Sequence, residues 1–170
     1  MVAWTSNQGS INSAGIFTPI ESGFTQIEAT IGGVTGTLNL EVMPGTPISL
    51  DLETTSIALT IDDGYQFNWS ITDSNNNEVW NAALTWYANH GSVNNTGYYL
   101  PNTIGQDSVT VMWQSLSVTA DISVSAGAAS FISIQPNLSV ASGNQIPLIY
   151  TVTDRLGNPL PNQAAGTITW

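Results

Sequence analysis

Cysteine is absent from all 170 residues, so no disulfide framework, thiolate nucleophile or cysteine-ligated zinc site can form. Lysine is absent too, and Arg155 is the single basic residue against 12 carboxylates, a formal net charge of -11. A nucleic-acid interface needs several Lys or Arg on phosphates, which this chain does not have. Anionic membrane surfaces are disfavoured for the same reason, and Lys–Asn isopeptide crosslinks are excluded outright. His90 is the one histidine, so any Ser-His-Asp arrangement would have to use it. No apolar run approaches the ~20 residues of a membrane span. The opening Met1-Val2-Ala3-Trp4-Thr5 has neither a charged nor an apolar leader segment, so no export signal is expected there. What the chain does have is 42% hydrophobic residues with only 8% charged, enough to bury a core under the low charge of an ordered extracellular module.

The residues that remain fall into a repeat. From Trp4 to Trp86 is 82 residues, and at that one offset Gly9, Ser10, Ile11 and Asn12 meet Gly91, Ser92, Val93 and Asn94. Gly15, Phe17, Pro19 and Gly23 then meet Gly97, Tyr99, Pro101 and Gly105. A second block recurs as well. Ile48-Ser49-Leu50 resembles Ile132-Ser133-Ile134, Ile71-Thr72-Asp73 resembles Val152-Thr153-Asp154, and Asn77 matches Asn158. The closing Ile168-Thr169-Trp170 returns to Leu84-Thr85-Trp86. The phase predicts the back half of one repeat (1–46), a complete repeat (47–126) and the front half of a third (127–170).

Local periodicity is that of β-strands throughout. Val118, Ala120, Ile122 and Val124 alternate with polar neighbours, and so do Leu38, Leu40 and Val42, then Phe67, Trp69 and Ile71, then Val109, Val111 and Trp113. Turn residues fall between them: Gly32-Gly33, Asp62-Asp63-Gly64, Ser74-Asn75-Asn76-Asn77 and Leu156-Gly157-Asn158-Pro159. About seven short strands per repeat, with turns every 8–12 residues, predict an all-β chain of tandem immunoglobulin-like sandwiches. The linkers Pro44-Gly45-Thr46-Pro47 and Ser125-Ala126-Gly127-Ala128 are short enough to predict a semi-rigid rod.

Thr85-Trp86, Gly91-Ser92-Val93, Gly97-Tyr98-Tyr99 and Pro101 together resemble the bacterial immunoglobulin-like (Big) domains of invasins, intimins and related surface proteins. Val152-Thr153-Asp154-Arg155-Leu156-Gly157-Asn158 is similar to their Thr-Asp-x-x-Gly-Asn turn, from which the middle repeat departs with Asn76-Asn77. The resemblance implies sandwiches that space a functional tip away from a cell or particle surface. No receptor-binding tip is among the residues, so receptor binding does not carry over.

The recurring Trp4, Trp86 and Trp170 are expected in the core rather than as sugar platforms, because they share one register beside alternating apolar residues. Trp113, which falls on Ile31, reads as a core substitution. Trp80 and Tyr87 do not recur, which makes them the candidate ligand contacts for a sugar or a protein. Asp73, Asn75 and Asn77 place oxygens at alternate positions, as a calcium loop would, although Asx residues make the same turn without metal. The Asp154 turn lacks the middle oxygen, so calcium is not expected to be part of the repeat. Asp62-Asp63 with Asp51 and Glu53 is a further acidic group, read as solvated loop. Asn68, Asn94 and Asn137 head N-glycosylation tripeptides, with Asn68 expected to face solvent. No catalytic motif is found, His90 reads as an exposed turn residue, and no cofactor is expected.

These readings predict a non-catalytic structural segment of an extracellular fibre, surface adhesin or surface layer. Its expected partners are flanking repeats or further copies, joined head to tail by strand complementation. A carbohydrate- or protein-binding module and a virion decoration or tail protein are the alternatives.

Overall fold

The computed structural model describes residues 1–134 and 139–161. Every regular element among the described residues is a strand. The first five are β1 (Ala3–Ser6), β2 (Ser10–Ile11), β3 (Phe17–Thr18), β4 (Gly23–Ile31) and β5 (Val34–Val42). Next come β6 (Pro47–Leu52), β7 (Ser56–Thr60), β8 (Tyr65–Gln66) and β9 (Trp69–Asp73). They are followed by β10 (Thr85–Ala88), β11 (Ser92–Val93), β12 (Tyr98–Leu100), β13 (Gly105–Trp113) and β14 (Leu116–Ser125), then β15 (Phe131–Ile134) and β16 (Tyr150–Thr153). The chain is all-β, of the immunoglobulin-like sandwich class that alternation and turn spacing predict. It divides into two compact units whose borders cross the sequence repeat. Residues 1–53, 68–85 and 112–118 form one; residues 54–67, 86–111 and those from 119 onward form the other.

The first unit holds the antiparallel sheet β1-β4-β5, with Trp4 opposite Ala29 and Ile27 opposite Leu38. Its β4–β5 hairpin turns on Gly32 and Gly33, both at positive φ (58° and 83°), a backbone that side chains with a Cβ resist. β2 pairs with β3, and β6 pairs with β9 so that buried Leu50 lies opposite buried Ile71. An irregularity between Pro47 and Ser49 shifts this register. Ile132 stands opposite Val152, the counterpart of Ile71, so the residue equivalent to Ile132 is Leu50 rather than Ile48, which is 62% exposed.

In the second unit the sheet order is β10-β13-β14-β7, beside the small sheets β11-β12-β8 and β15-β16. β7 runs parallel to β14, with Ile57 opposite Ile122. Period-two alternation sends Val109, Val111, Ala120 and Ile122 inward, all fully buried, and leaves Thr119 and Asp121 exposed. Burying each Val or Ile stabilises by roughly 1.5–3 kcal/mol relative to exposure. Phe67, expected within a strand, instead sits just before β9 and donates its N–H to the Gly97 carbonyl at 3.0 Å. It packs edge-on to Tyr65, with ring centroids 4.9 Å apart, and 6.3 Å from the Trp86 ring. Gly97, at φ 85°, faces this indole so closely that a Cβ would lie 2.8 Å from it. Trp4 meets Gly15 in the same way, at 3.0 Å.

The backbone follows the sequence period. β4 and β13 match end to end at the 82-residue offset, and the pairs Ser10–Thr18 and Ile11–Phe17 reappear as Ser92–Leu100 and Val93–Tyr99. The isolated bridge Thr72–Glu78 likewise recurs as Thr153–Pro159.

Candidate functional site

The most developed polar constructions lie where the two linkers meet the turns that begin at Asp73 and Asp154. Asp73 ends β9 with its side chain turned inward, only 3% exposed. Oδ1 accepts the N–H groups of Asn75 (2.8 Å) and Asn77 (2.9 Å), closing an Asx turn. Oδ2 accepts the linker N–H of Gly45 at 2.7 Å and the Asn77 side-chain amide at 2.9 Å. The Asn77 amide, working against burial and joined by the Gly45, Asn77 and Asn75 N–H groups, holds this carboxyl at about 2. Asn77 also reaches the loop before β4. Its Nδ2 donates to Ile20 O (2.9 Å) and its Oδ1 accepts the Ser22 N–H (2.8 Å). A turn, a linker and a preceding loop are thereby tied by one aspartate and one asparagine.

Asp154 repeats the construction. It is 0% exposed; Oδ1 accepts Leu156 N–H and Asn158 N–H, both at 2.9 Å. Oδ2 accepts Asn158 Nδ2 at 2.9 Å and the linker N–H of Gly127 at 3.1 Å. Burial pushes this carboxyl up, but Asn158, Gly127 and Leu156 outweigh it and leave it at about 2. Here the loop after β7 joins in: Asp62 accepts Arg155 Nε at 2.6 Å and the Ala128 N–H at 2.8 Å. These bonds, the Arg155 one first, hold Asp62 below the usual carboxylate range. A Cβ at Gly127 would collide with the Asp62 carboxylate and displace it from these bonds.

A third buried carboxylate serves the core. Asp107 accepts the Tyr99 hydroxyl (2.6 Å) and the N–H groups of His90 (2.9 Å), Gly91 (2.7 Å) and Ser108 (2.7 Å). Burial raises the Asp107 pKa and these donors, Tyr99 first, bring it below normal. Burial and the adjacent carboxylate push the Tyr99 phenol well up. His90 stands with its side chain 54% exposed and Nδ1 3.6 Å from Asp107.

The remaining candidates are dispersed. All four acceptor positions of the Asp73 carboxylate face N–H donors, and Asn77 Oδ1 is committed to Ser22, so the side-chain oxygens of two of the three expected calcium residues, Asp73 and Asn77, are directed at protein groups. Among the described residues no group of three or more His, Asp or Glu is placed to hold a metal ion. Trp80 lies in the first unit and Tyr87 in the second, each 57% exposed. Asn68 is exposed and donates to Glu53 Oε2 at 2.8 Å. Asn94 Oδ1 accepts from Thr96 N, Thr96 Oγ1 and Tyr98 N, an Asx turn that Asn12 repeats with Ala14 and Ile16. Asp51 accepts from Ser49, and Asp63 accepts from the Thr60 N–H and hydroxyl, which lower its pKa. Trp113 is half-buried. Asn137 and Trp170 lie outside the described residues.

Sequence reasoning singled out Asp73 for its oxygens and missed its part in a clasp on the linker. The available signal was the recurrence of Asp-x-x-x-Asn at 73–77 and 154–158 together with a glycine in each linker, Gly45 and Gly127. Alternation had marked neither, because half of the clasp is backbone N–H.

No family model matches the chain, and no curated protein matches its sequence. Among solved structures it is similar to domains 4 and 5 of the S-layer protein SbsC, at 17% identity and a TM-score of 0.44, covering 74% of this chain and 70% of that one. It is also similar to invasin, a bacterial integrin-binding protein, at 17% identity and a TM-score of 0.43, covering 95% of this chain and 40% of that one. A third likeness is to extracellular cadherin domains 1–5 of protocadherin gamma B2, at 12% identity and a TM-score of 0.38, covering 91% and 38%.

Proposed function

We propose that this chain is a non-catalytic spacer segment of a bacterial-type surface protein or extracellular fibre, built of Big-like tandem repeats bounded at 1–46, 47–126 and 127–170. One observation carries the reading: the same aspartate–asparagine turn grips a linker glycine at both linkers, Asp73 on Gly45 and Asp154 on Gly127. A side chain held by four donors at a linker has no lone pair left for chemistry, and what it does is fix one repeat's angle to the next. The acidic, lysine-free surface keeps such a segment soluble through net repulsion. The test is small-angle scattering of the whole chain against Asp73→Ala and Asp154→Ala variants that retain a β-type far-UV spectrum. A stiff spacer gives a narrow distance distribution that broadens in each variant, and identical distributions would refute the role.

A second reading extends the first. Ile31, Val34 and Leu38 are 55–72% exposed on the β4–β5 hairpin, while Ile132, Ile134 and Ile149 are 47–61% exposed in the other incomplete repeat. Apolar surface of this kind favours association, and copies joined head to tail would complete each other's repeats. Light scattering after size exclusion decides this: concentration-dependent polymers support it, and a monodisperse monomer at high concentration overturns it.

A further inference from the structure

The two turns share one build, yet they reach the repeat before them by different chemistry. At the first, Asp73 holds the linker amide of Gly45, and the bonds beyond the linker are neutral: Asn77 gives its amide to Ile20 O and takes the Ser22 N–H. At the second, the Asn158 amide goes to Asp154, and Asn102, the counterpart of Ile20, donates to His90 O at 3.4 Å. The reach is made instead by Arg155, standing where the first turn has Ser74. Its Nε donates to Asp62 Oδ1 at 2.6 Å and its Nη2 to Ile61 O at 3.3 Å. The other Asp62 oxygen takes the linker N–H of Ala128. Asp62 thus joins the loop after β7, the linker and the following turn through one charged centre. The nearby carboxylates are already engaged, Asp63 by Thr60 and Asp154 by its own turn. The sole basic side chain of the chain is placed at this point.

We propose that the loop carrying Asp62 is a charge-coded docking surface for the next repeat, and that the partner it fits is a repeat whose Asp-x-x-x-Asn turn carries a guanidinium immediately after the aspartate. A turn of the Ser74 kind would leave Asp62 with no cation. Repeat order is then written in the pairing of loop and turn. Because the Arg155 and Asp62 side chains are 57% and 31% exposed, their contact is open to screening by salt, whereas at the first junction the one charged group, Asp73, is 3% exposed and Asn77 is neutral.

The inference rests on the reading of both turns as junction clasps, and amide hydrogen exchange on the full chain separates the two. Protection of the Gly45 and Gly127 amides in the unmodified chain tests the clasps; if both exchange freely, the junction reading itself fails. With those protected, Arg155→Ser, which copies the first turn, is expected to speed exchange at Ala128 by about tenfold and to leave Gly45 unchanged. Arg155→Lys, which keeps the charge and loses the fork, should fall between. Raising salt to about 1 M should speed Ala128 exchange in the unmodified chain and not in Arg155→Ser. Unchanged Ala128 protection in Arg155→Ser, or equal salt effects at Gly45 and Ala128, would overturn the charge code while leaving the clasps intact. If Arg155→Ser also loses Gly45 protection through unfolding, the salt series on the unmodified chain decides alone.

Discussion

Leu40 and Ile122 hold the same place in two copies of one strand, β5 and β14, as do Leu38 and Ala120. Ile122 and Ala120 are fully buried, while Leu40 is partly exposed and Leu38 is 55% exposed. The strands have equivalent bounds, the hairpins recur, and the pairing of β2 with β3 is repeated in β11 with β12. Alternation and turn chemistry, which are local, suffice to set the backbone of both copies. Burial is decided by what lies over the sheet, and the two copies differ there. The side chains record the difference, a small Ala standing in the buried copy where a large Leu stands in the open one.

The comparison breaks first at its most buried point. Ile122→Ala should lower unfolding stability by about 2–5 kcal/mol, as a cavity in a closed core does, with urea midpoints as the measure. Leu38→Ala in the other copy should stay within about 0.5 kcal/mol. A large loss at Leu38 would mean that its face is covered in solution. The reciprocal change, Ala120→Leu, imports the open copy's residue into the closed one and should cost about 1–3 kcal/mol by overpacking.

Smaller effects attend the polar differences. Tyr99 and Asp107 are replaced in the first copy by Phe17 and Thr25, and Thr25 turns instead to Asn7 at 2.6 Å. Tyr99→Phe should therefore cost about 1–2 kcal/mol, and Phe17→Tyr should gain nothing, because no carboxylate stands ready. A stabilised Phe17→Tyr variant would show that the hydroxyl matters without its acceptor.

The clasps sharpen the comparison through pH. Asp73 and Asp154 have folded values near 2, below the ordinary 3.8, so their contribution to stability is complete above about pH 4 and disappears as pH falls through 2. Gly45 and Gly127 amide protection should persist at pH 4 and be lost near pH 2. Loss of both at pH 4 would show that the carboxylates are not held low. The smallest expected effect is that of calcium. Melting in chelator and in millimolar calcium should agree within about 2 °C, and a shift several times larger would reveal a bound ion.

Much of the fold is legible in the chain because β-structure writes itself at short range. Val118–Val124 predicted β14, and the 82-residue offset predicted that β4 and β13 would match. The places that sequence reading missed are those set by distant backbone. Phe67 looked like a strand residue by alternation, but the Gly97 carbonyl takes its N–H ahead of β9. Ile48 looked like the counterpart of Ile132, but the cross-strand partners give that place to Leu50, opposite Ile71 as Ile132 is opposite Val152. The Asp73–Gly45 clasp spans 28 residues and the Asp62–Arg155 contact 93, and strand alternation does not reach that far. His90 was placed correctly at an exposed turn, but its backbone bond to Asp107 was invisible because the donor is an amide that every residue carries.

The parallel pairing of β7 with β14 has a mechanical meaning. Were the chain pulled from its two ends, tension would reach β7 from its N-terminal side and leave β14 from its C-terminal side, drawing two parallel strands in opposite directions along their common axis. The hydrogen bonds of the register from Ser56–Asp121 to Thr60–Ser125 lie across that pull and share it, so they must yield together in shear. An antiparallel pair loaded at one end would instead be peeled open bond by bond. Resistance to pulling is a rate property governed by the barrier to unfolding, and this five-residue seam between β7 and β14 is expected to raise it.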